Sequence, residues 1–235
     1  MNNFTIVYYT ANRESPEFEK KIIDNLKKQA SDIPIISVSH KPMDLGKNIC
    51  VGNVGWSYLN EWRQILIGAK EAKTSYIIFA ESDFLYPKDY FKLVPKEDFY
   101  IYKNVWIVMD SKFGNWFWRK KSSEGAQICK RDILIKEYEK YLKGQPEWWD
   151  GPLNIGKAGN SPLMNLKPYF FTGDPCVSFK TGNGLRNITN VIKKDRVREL
   201  PVWGNIKKLR KQYYENKSEK KLDNPYDDID QSYSM

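Results

Sequence analysis

Three observations predict an α/β fold, with a central, mostly parallel sheet flanked by helices. Short β-branched or aromatic runs alternate with amphipathic helical stretches over the first eighty residues, the pattern of βαβ units. The chain's 235 residues suit one domain, with 41% hydrophobic and 14% aromatic residues to fill its core. Polar turns close three of the apolar runs, and open α/β sheets bind ligands at such strand ends.

Phe4 to Tyr9 (FTIVYY) reads as a buried first strand. Ser15-Pro16-Glu17 supplies an N-cap, a proline at the first helical position and an acid in the first turn. Phe18, Ile22, Ile23, Leu26 and Ala30 then recur at helical spacing, which predicts a helix over 16–30. Ile33 to Val38 is the second strand, and a glycine-bearing loop is expected from Met43 to Gly55. Trp56, Leu59, Trp62, Ile65, Leu66 and Ala69 mark a second helix, and Tyr76 to Ala80 (YIIFA) a further buried strand. Phe99–Tyr102, Val105–Met109, Pro168–Phe171 and Cys176–Phe179 are strand candidates. An aromatic loop, 113–118, precedes Gly125–Cys129 and a helix over about 131–143; 144–165 reads as loop. A lysine-rich helix follows Trp203-Gly204. Residues 1–204 are expected to form the single domain, 205–221 a basic helical extension and 222–235 an acidic, mobile tail.

Composition removes several classes of function. No run approaches 18 apolar residues, so no membrane span is expected. The N-terminus has no signal-peptide pattern. Three scattered cysteines, at 50, 129 and 176, form neither a disulfide framework nor a zinc motif, which points to a reducing, cytoplasmic setting. A single histidine, His40, excludes a His-rich metal cage. The last fourteen residues hold four aspartates and no Lys or Arg, so residues 1–221 carry a net +13. Between Lys193 and Lys221 there are eleven Lys/Arg against four Asp/Glu. Such an excess suits an anionic partner, and equally a solvated helix face. No protein partner is evident.

Three polar turns occupy predicted strand ends: Thr10–Arg13, Ser39–Lys41 and Glu81-Ser82-Asp83. The last follows YIIFA directly and can present two carboxylates side by side, a setting in which Mg²⁺ or Mn²⁺ bridges oxygen ligands and substrate phosphates. The same spacing is also common in turns without function. Of the eight tryptophans, Trp116, Trp118, Trp148 and Trp149 lie in segments read as loops, suited either to stacking on sugars and bases or to packing on the sheet.

VYYTANR, ISVSHKPMDLGKNI, YLNEWRQILIGAKEA, FAESDFLYP and LPVWGN together resemble segments of phage and bacterial proteins classed as nucleotide-sugar glycosyltransferases. The resemblance is best over residues 4–142 and implies a GT-A-like (Rossmann-like) sheet. It implies that Thr10, Asn12 and Arg13 line a nucleotide pocket with Ser39 and Lys41 beside it. Asp83 would be the ligand for Mn²⁺ or Mg²⁺, and Glu81 would contact the ribose or a metal-bound water, or join the metal ligands. SSEGAQICKRDIL (122–134) is similar to the family's acceptor-side element, and an acid beyond the following helix, Glu147 or Asp150, would be the catalytic base. Two features depart from the pattern. The acidic motif starts with Glu rather than Asp, and the late histidine of many relatives is replaced by Phe179-Lys180-Thr181-Gly182-Asn183. Water could fill that metal position, or Lys180 or Arg186 could serve the diphosphate without metal. His40 is expected near the base of the nucleotide.

The expected function is transfer of a hexosyl or pentosyl unit from a nucleoside-diphosphate sugar, a UDP-sugar favoured, to a hydroxyl. A hydroxylated base in phage DNA is among the acceptors, beside glycan and protein. The rival is a non-catalytic nucleic-acid-binding protein using the basic 193–221 segment.

Overall fold

The computed structural model describes residues 3–109, 114–121, 123–151, 161–180 and 191–214. In chain order they form β1 (Phe4–Thr10), α1 (Pro16–Ala30), β2 (Ile35–Ser39), β3 (Lys47–Cys50), α2 (Tyr58–Glu71), β4 (Tyr76–Glu81) and β5 (Phe84–Leu85). A 3₁₀ turn (Lys88–Lys92) leads to β6 (Phe99–Tyr102), β7 (Val105–Val108), β8 (Phe117–Lys120), β9 (Gln127–Lys130) and α3 (Arg131–Leu142). Then come β10 (Tyr169–Phe171), β11 (Cys176–Phe179), β12 (Val191–Val197), β13 (Glu199–Leu200), β14 (Gly204–Asn205) and α4 (Ile206–Tyr214).

The larger sheet has seven strands in the order β10-β6-β9-β4-β1-β2-β3. Every neighbouring pair is parallel except the two that β9 makes, with β4 and β6, so β9 alone runs against the rest. This is the expected α/β domain with a mostly parallel sheet and flanking helices. Strand alternation sorts β1 between two cores: Val7 and Tyr9 face α2 and α3 with Trp62, Ile65 and Leu134, whereas Phe4, Ile6 and Tyr8 face Leu26 and Ala30 of α1. Ser15 caps α1 as predicted, its Oγ accepting from the Phe18 N–H at 3.3 Å. Gly68 lets α2 close on β1, since a Cβ there would lie 2.5 Å from Val7 Cγ1.

A second sheet was not foreseen. Its five strands run β12-β8-β7-β11-β5, and it packs Trp106, Phe117, Val177 and Phe179 against Phe18 and Ile22 of α1 and Leu209 and Tyr213 of α4. The loop expected over 43–55 contains β3, an edge strand too polar and exposed to show apolar alternation. Trp56 lies outside α2, ahead of its N-cap Ser57. Phe117 and Trp118 belong to strand β8 rather than to a loop. Part of the basic segment is strand β12, whose charged residues conceal its pairing with β8. The three cysteines are free thiols. Among the described residues no helix is long and apolar enough to cross a membrane. The acidic tail, residues 215–221, Phe113, Ser122, Thr181–Asn183 and Arg186 lie outside the described residues.

Candidate functional site

The chain leaves β1 for β2 and β3 on one side and returns through α2 to β4 on the other. The order therefore reverses between β1 and β4, and the crevice beyond their carboxyl ends is the place where such sheets take ligands. Glu81-Ser82-Asp83 sits there, and it is also the turn by which the chain crosses from the larger sheet (β4) to the smaller (β5). Lys120 ends β8, and Lys180 directly follows β11, so the smaller sheet delivers two cations to the same junction.

Glu81 is held from three sides. Register sets it beside Tyr9, whose hydroxyl donates to Glu81 Oε1 at 2.9 Å. Burial and the Glu81 charge raise the Tyr9 hydroxyl well above its ordinary range, so it stays protonated and donates. The Glu81 N–H donates to the Tyr86 hydroxyl at 3.0 Å, which in turn donates to the Gly125 carbonyl at 2.6 Å. β9 pairs with β4 so that Ile128 opposes Ile78; continuing that register brings Gly125 to Glu81. A Cβ at Gly125 would stand 2.4 Å from Glu81 Cδ. Glycine there makes room for the carboxylate.

Asp83 is a half-buried acid in a crowded field. Burial raises its pKa well above the usual carboxylate range, and the Glu81 and Glu14 charges raise it further; Lys120 and Lys180 pull it back. Burial lowers the Lys120 ammonium's pKa, while Glu81 and Asp83 raise it. Glu124, next to Gly125, is pushed up to about 7, mainly by burial and then by Glu81, against the opposing pull of Trp62 and Lys120. Three acids and two lysines thus share one partly dry junction, with negative charge that a cation or a proton would relieve. Among the described residues no three His, Cys, Asp or Glu side chains converge as a metal cage. Glu81 and Asp83 nevertheless fit the hard-cation pattern in which one or two carboxylates leave the other positions to water and phosphate oxygens.

The first and second polar turns are joined by Asn12, which adopts φ 48°, the left-handed region that Asn tolerates. Its Oδ1 accepts from the Lys41 N–H at 2.8 Å, and its Nδ2 donates to Glu19 Oε2 at 3.3 Å. Thr10 is buried, its Oγ1 accepting from the Asn12 N–H at 2.9 Å. Ser39 is buried as well, donating to the Lys41 carbonyl at 2.6 Å and accepting from Asn48 Nδ2 at 2.8 Å. Thr10, Asn12 and Ser39 therefore shape the two turns, whereas the side chains of Arg13 and Lys41 are exposed. His40 is buried, which lowers its pKa and leaves the ring neutral near pH 7.

Trp56 has 43% of its surface exposed, and the guanidinium of Arg13, on the turn after β1, lies 3.7 Å from its ring centroid. Gly55, at φ +77°, packs against Asp150, whose Oδ1 would sit 2.6 Å from a Cβ at that position. Asn60 fastens the Asp150 loop to α2, with Oδ1 accepting from the Trp149 N–H and Nδ2 donating to the Trp149 carbonyl, both at 2.8 Å. Asp150 is thereby brought to the Trp56 loop, whereas Glu147 is exposed beside the Pro146 carbonyl that Arg63 binds. Sequence reasoning missed Tyr9, Lys120 and Glu124, and read Trp56 only as a helix position. A register argument pairing β9 with β4 was the one signal that leads to Gly125 and its neighbour.

No protein-family model and no curated protein matches the chain. Solved structures do. S. aureus TarS 1–349 in complex with UDP-GlcNAc is 13% identical with a TM-score of 0.47, over 77% of this chain and 59% of that one. The mannosyltransferase PcManGT from Pyrobaculum calidifontis, in complex with GDP-Man and Mn²⁺, is 14% identical with a TM-score of 0.43, over 75% of this chain and 56% of that one. The bifunctional IspDF from Campylobacter jejuni is 11% identical with a TM-score of 0.41, over 73% of this chain and 50% of that one. The chain spans less than two thirds of the length of each. At TM-scores below 0.5 the likeness is one of general architecture, and nucleotide-sugar glycosyltransferases are among the proteins that share it.

Proposed function

We propose that this protein transfers a sugar from a nucleoside-diphosphate sugar, a UDP-sugar favoured, to a hydroxyl acceptor. The observation that carries the reading is the repelling acid pair Glu81 and Asp83, bracketed by Lys120 and Lys180 at the switch point of a mostly parallel sheet. Arg13 and Trp56 offer a stacking surface for the base, and Lys41 lies beside them on the loop that Asn12 holds. Asp83, with Glu81, would hold Mn²⁺ or Mg²⁺, which supplies positive charge to the departing diphosphate. Lys120 and Lys180 meet the same phosphates from the protein side, so the leaving group departs with its charge matched. Tyr9 and Gly125 keep the Glu81 carboxylate in place. Asp150 or Glu147 takes the acceptor proton. A hydroxylated base in DNA is the acceptor that the net +13 of residues 1–221 favours; transfer to a glycan or protein hydroxyl instead would leave the donor reading intact.

The test is thermal unfolding with UDP- and GDP-sugars, with and without Mn²⁺, for the wild type and Asp83→Asn. Donor at a hundred times Kd stabilises by about 2.7 kcal/mol, or roughly 5–10 °C in a domain of this size. The variant loses the Mn²⁺-dependent part of that rise, and its metal-free form melts higher because an acid whose ionisation its surroundings oppose is gone. An undiminished Mn²⁺-dependent shift in Asp83→Asn refutes the assignment of Asp83. No shift with any nucleotide sugar favours the non-catalytic nucleic-acid-binding reading.

A further inference from the structure

Away from the acid pair, the second sheet carries an array of indoles and guanidiniums on one face. β12 is the edge strand, paired antiparallel with β8 so that Arg196 opposes Trp118 and Val197 opposes Phe117. Alternation turns Phe117 into the core with Phe179, and Trp118 to the opposite face, over Ile107, Met109 and Val191. On that outer face the Arg196 guanidinium lies 4.6 Å from the Trp116 ring centroid and 5.4 Å from that of Trp118. Arg198 lies 4.5 Å from Trp116. Guanidinium and indole therefore alternate as Arg198, Trp116, Arg196, Trp118. Both arginines are exposed although stacked.

Two physical consequences follow from this arrangement. A guanidinium stacked on an indole gives up rotamer freedom in advance, while its in-plane N–H groups remain directed away from the ring. Arg196 lies on β12 and Arg198 at the bend directly after it, and both guanidiniums stack on the same Trp116 ring. The row also has a direction. Trp118 is followed on the same face by Lys120, whose charge acts on Glu81 and Asp83, and the path along β8 from Trp118 to Lys120 is about 6.7 Å. Arg210 of α4 fixes the outer end by donating to the Gly114 carbonyl at 3.1 Å and to Asn115 Oδ1 at 3.3 Å.

We infer that this Trp–Arg ladder is a binding track for a nucleic-acid strand, whose phosphates pair with Arg196 and Arg198 and whose course along β8 ends at the acid pair. Cations interleaved with aromatics are the chemistry by which single strands are held without sequence preference. The inference rests on the transfer reading in one respect, that the bound strand is the acceptor; the binding itself stands apart from catalysis.

The experiment is fluorescence anisotropy with a labelled single-stranded 12-mer, the same sequence as duplex, and heparin as competitor, across a salt series. The full chain is compared with Arg196→Gln/Arg198→Gln, with Arg196→Lys/Arg198→Lys, and with the control Lys136→Gln/Lys140→Gln on the exposed face of α3. The Gln pair weakens single-strand binding at least tenfold and lowers the log–log salt slope by about 1.4, two phosphates at roughly 0.7 each. The Lys pair keeps the charge but loses the stacked fork, and falls between. The α3 control is unchanged. Equal loss in the control, an unchanged slope in the Gln pair, or preference for heparin over the oligonucleotide overturns the inference. Donor-induced thermal shift in the same variants separates the two readings. A protein that responds to nucleotide sugars yet ignores oligonucleotides loses the track and keeps the transferase; one that binds strands through these arginines without a donor response keeps the track and loses the transferase.

Discussion

Gly125→Ala is the sharpest probe of the candidate site because its effect should pass almost wholly through one other side chain. The added methyl would lie 2.4 Å from Glu81 Cδ and 2.5 and 2.7 Å from its two carboxylate oxygens, against ordinary contact beginning at 3.4 Å. Something must yield by about 1 Å. The two backbones are tied through the Tyr86 hydroxyl, which accepts from the Glu81 N–H and donates to the Gly125 carbonyl. The Glu81 side chain is the softer element and swings away, breaking the 2.9 Å bond from Tyr9. An orphaned buried hydroxyl costs about 1–3 kcal/mol, and each kcal/mol lowers Tm by roughly 2–4 °C in a chain of this size. Mn²⁺-dependent donor affinity, measured by titration calorimetry, should fall at least tenfold, since the carboxylate has left its position. The decisive comparison is a cycle with Glu81→Ala, in which the methyl meets no carboxylate and Gly125→Ala should be almost silent. Equal damage in both backgrounds would show that Gly125 acts through its own backbone, and the reasoning would fail.

Trp56→Ala should weaken nucleotide binding by about 1–3 kcal/mol, the worth of one stacked base, with Trp56→Phe recovering most of it; an unchanged Kd in the alanine variant removes Trp56 from the donor site. Amide variants at Asp150 and Glu147 rank the candidate bases: the true one loses turnover by roughly a hundredfold or more while still binding donor, and normal activity in both puts the base elsewhere. For Glu124 the folded, metal-free protein keeps its proton up to about pH 7, whereas an ordinary glutamate releases it near 4.5. The unfolded state therefore binds fewer protons in that window, and stability declines as pH rises through it. Glu124→Gln should flatten that decline in denaturant titrations from pH 5 to pH 8, and an equally steep decline in the variant would refute the buried-acid account.

The elements legible in the sequence were those whose burial is lopsided. α1 shows a clean apolar stripe between a serine cap and Ala30, and β1 and β4 are buried on both faces, so each reads as a continuous apolar run. The elements that escaped are edge strands. β3, Lys47–Cys50, buries none of its four residues fully. β12 alternates cations with half-buried residues and so resembles a solvated charged segment. The aromatic stretch ending in Phe117-Trp118 shows the reverse error. Both faces of β8 are occupied, one by the core around Phe179 and the other by Arg196 of β12. Two large aromatics in succession then look like a loop cluster until the second sheet is known.

The site divides along the same line. An acid-x-acid step after a buried strand is visible locally, and the turn residues Asn12, Arg13, Ser39 and Lys41 lie within four residues of a readable strand end. What gives Asp83 its chemistry is not local. Its pKa is raised by burial and by acids at positions 81 and 14, and relieved by lysines at 120 and 180, which arrive from different strands of the second sheet. Glu124 sits in an ordinary polar turn, and only the antiparallel pairing of β9 with β4 carries it to Glu81. A charge cluster assembled from four separate chain segments leaves no spacing to recognise. The one trace it leaves is indirect: Gly125 stands where a side chain would collide with Glu81, and the Tyr9 hydroxyl ends within hydrogen-bonding reach of the same carboxylate. Both are concessions of packing to the half-buried Glu81 carboxylate.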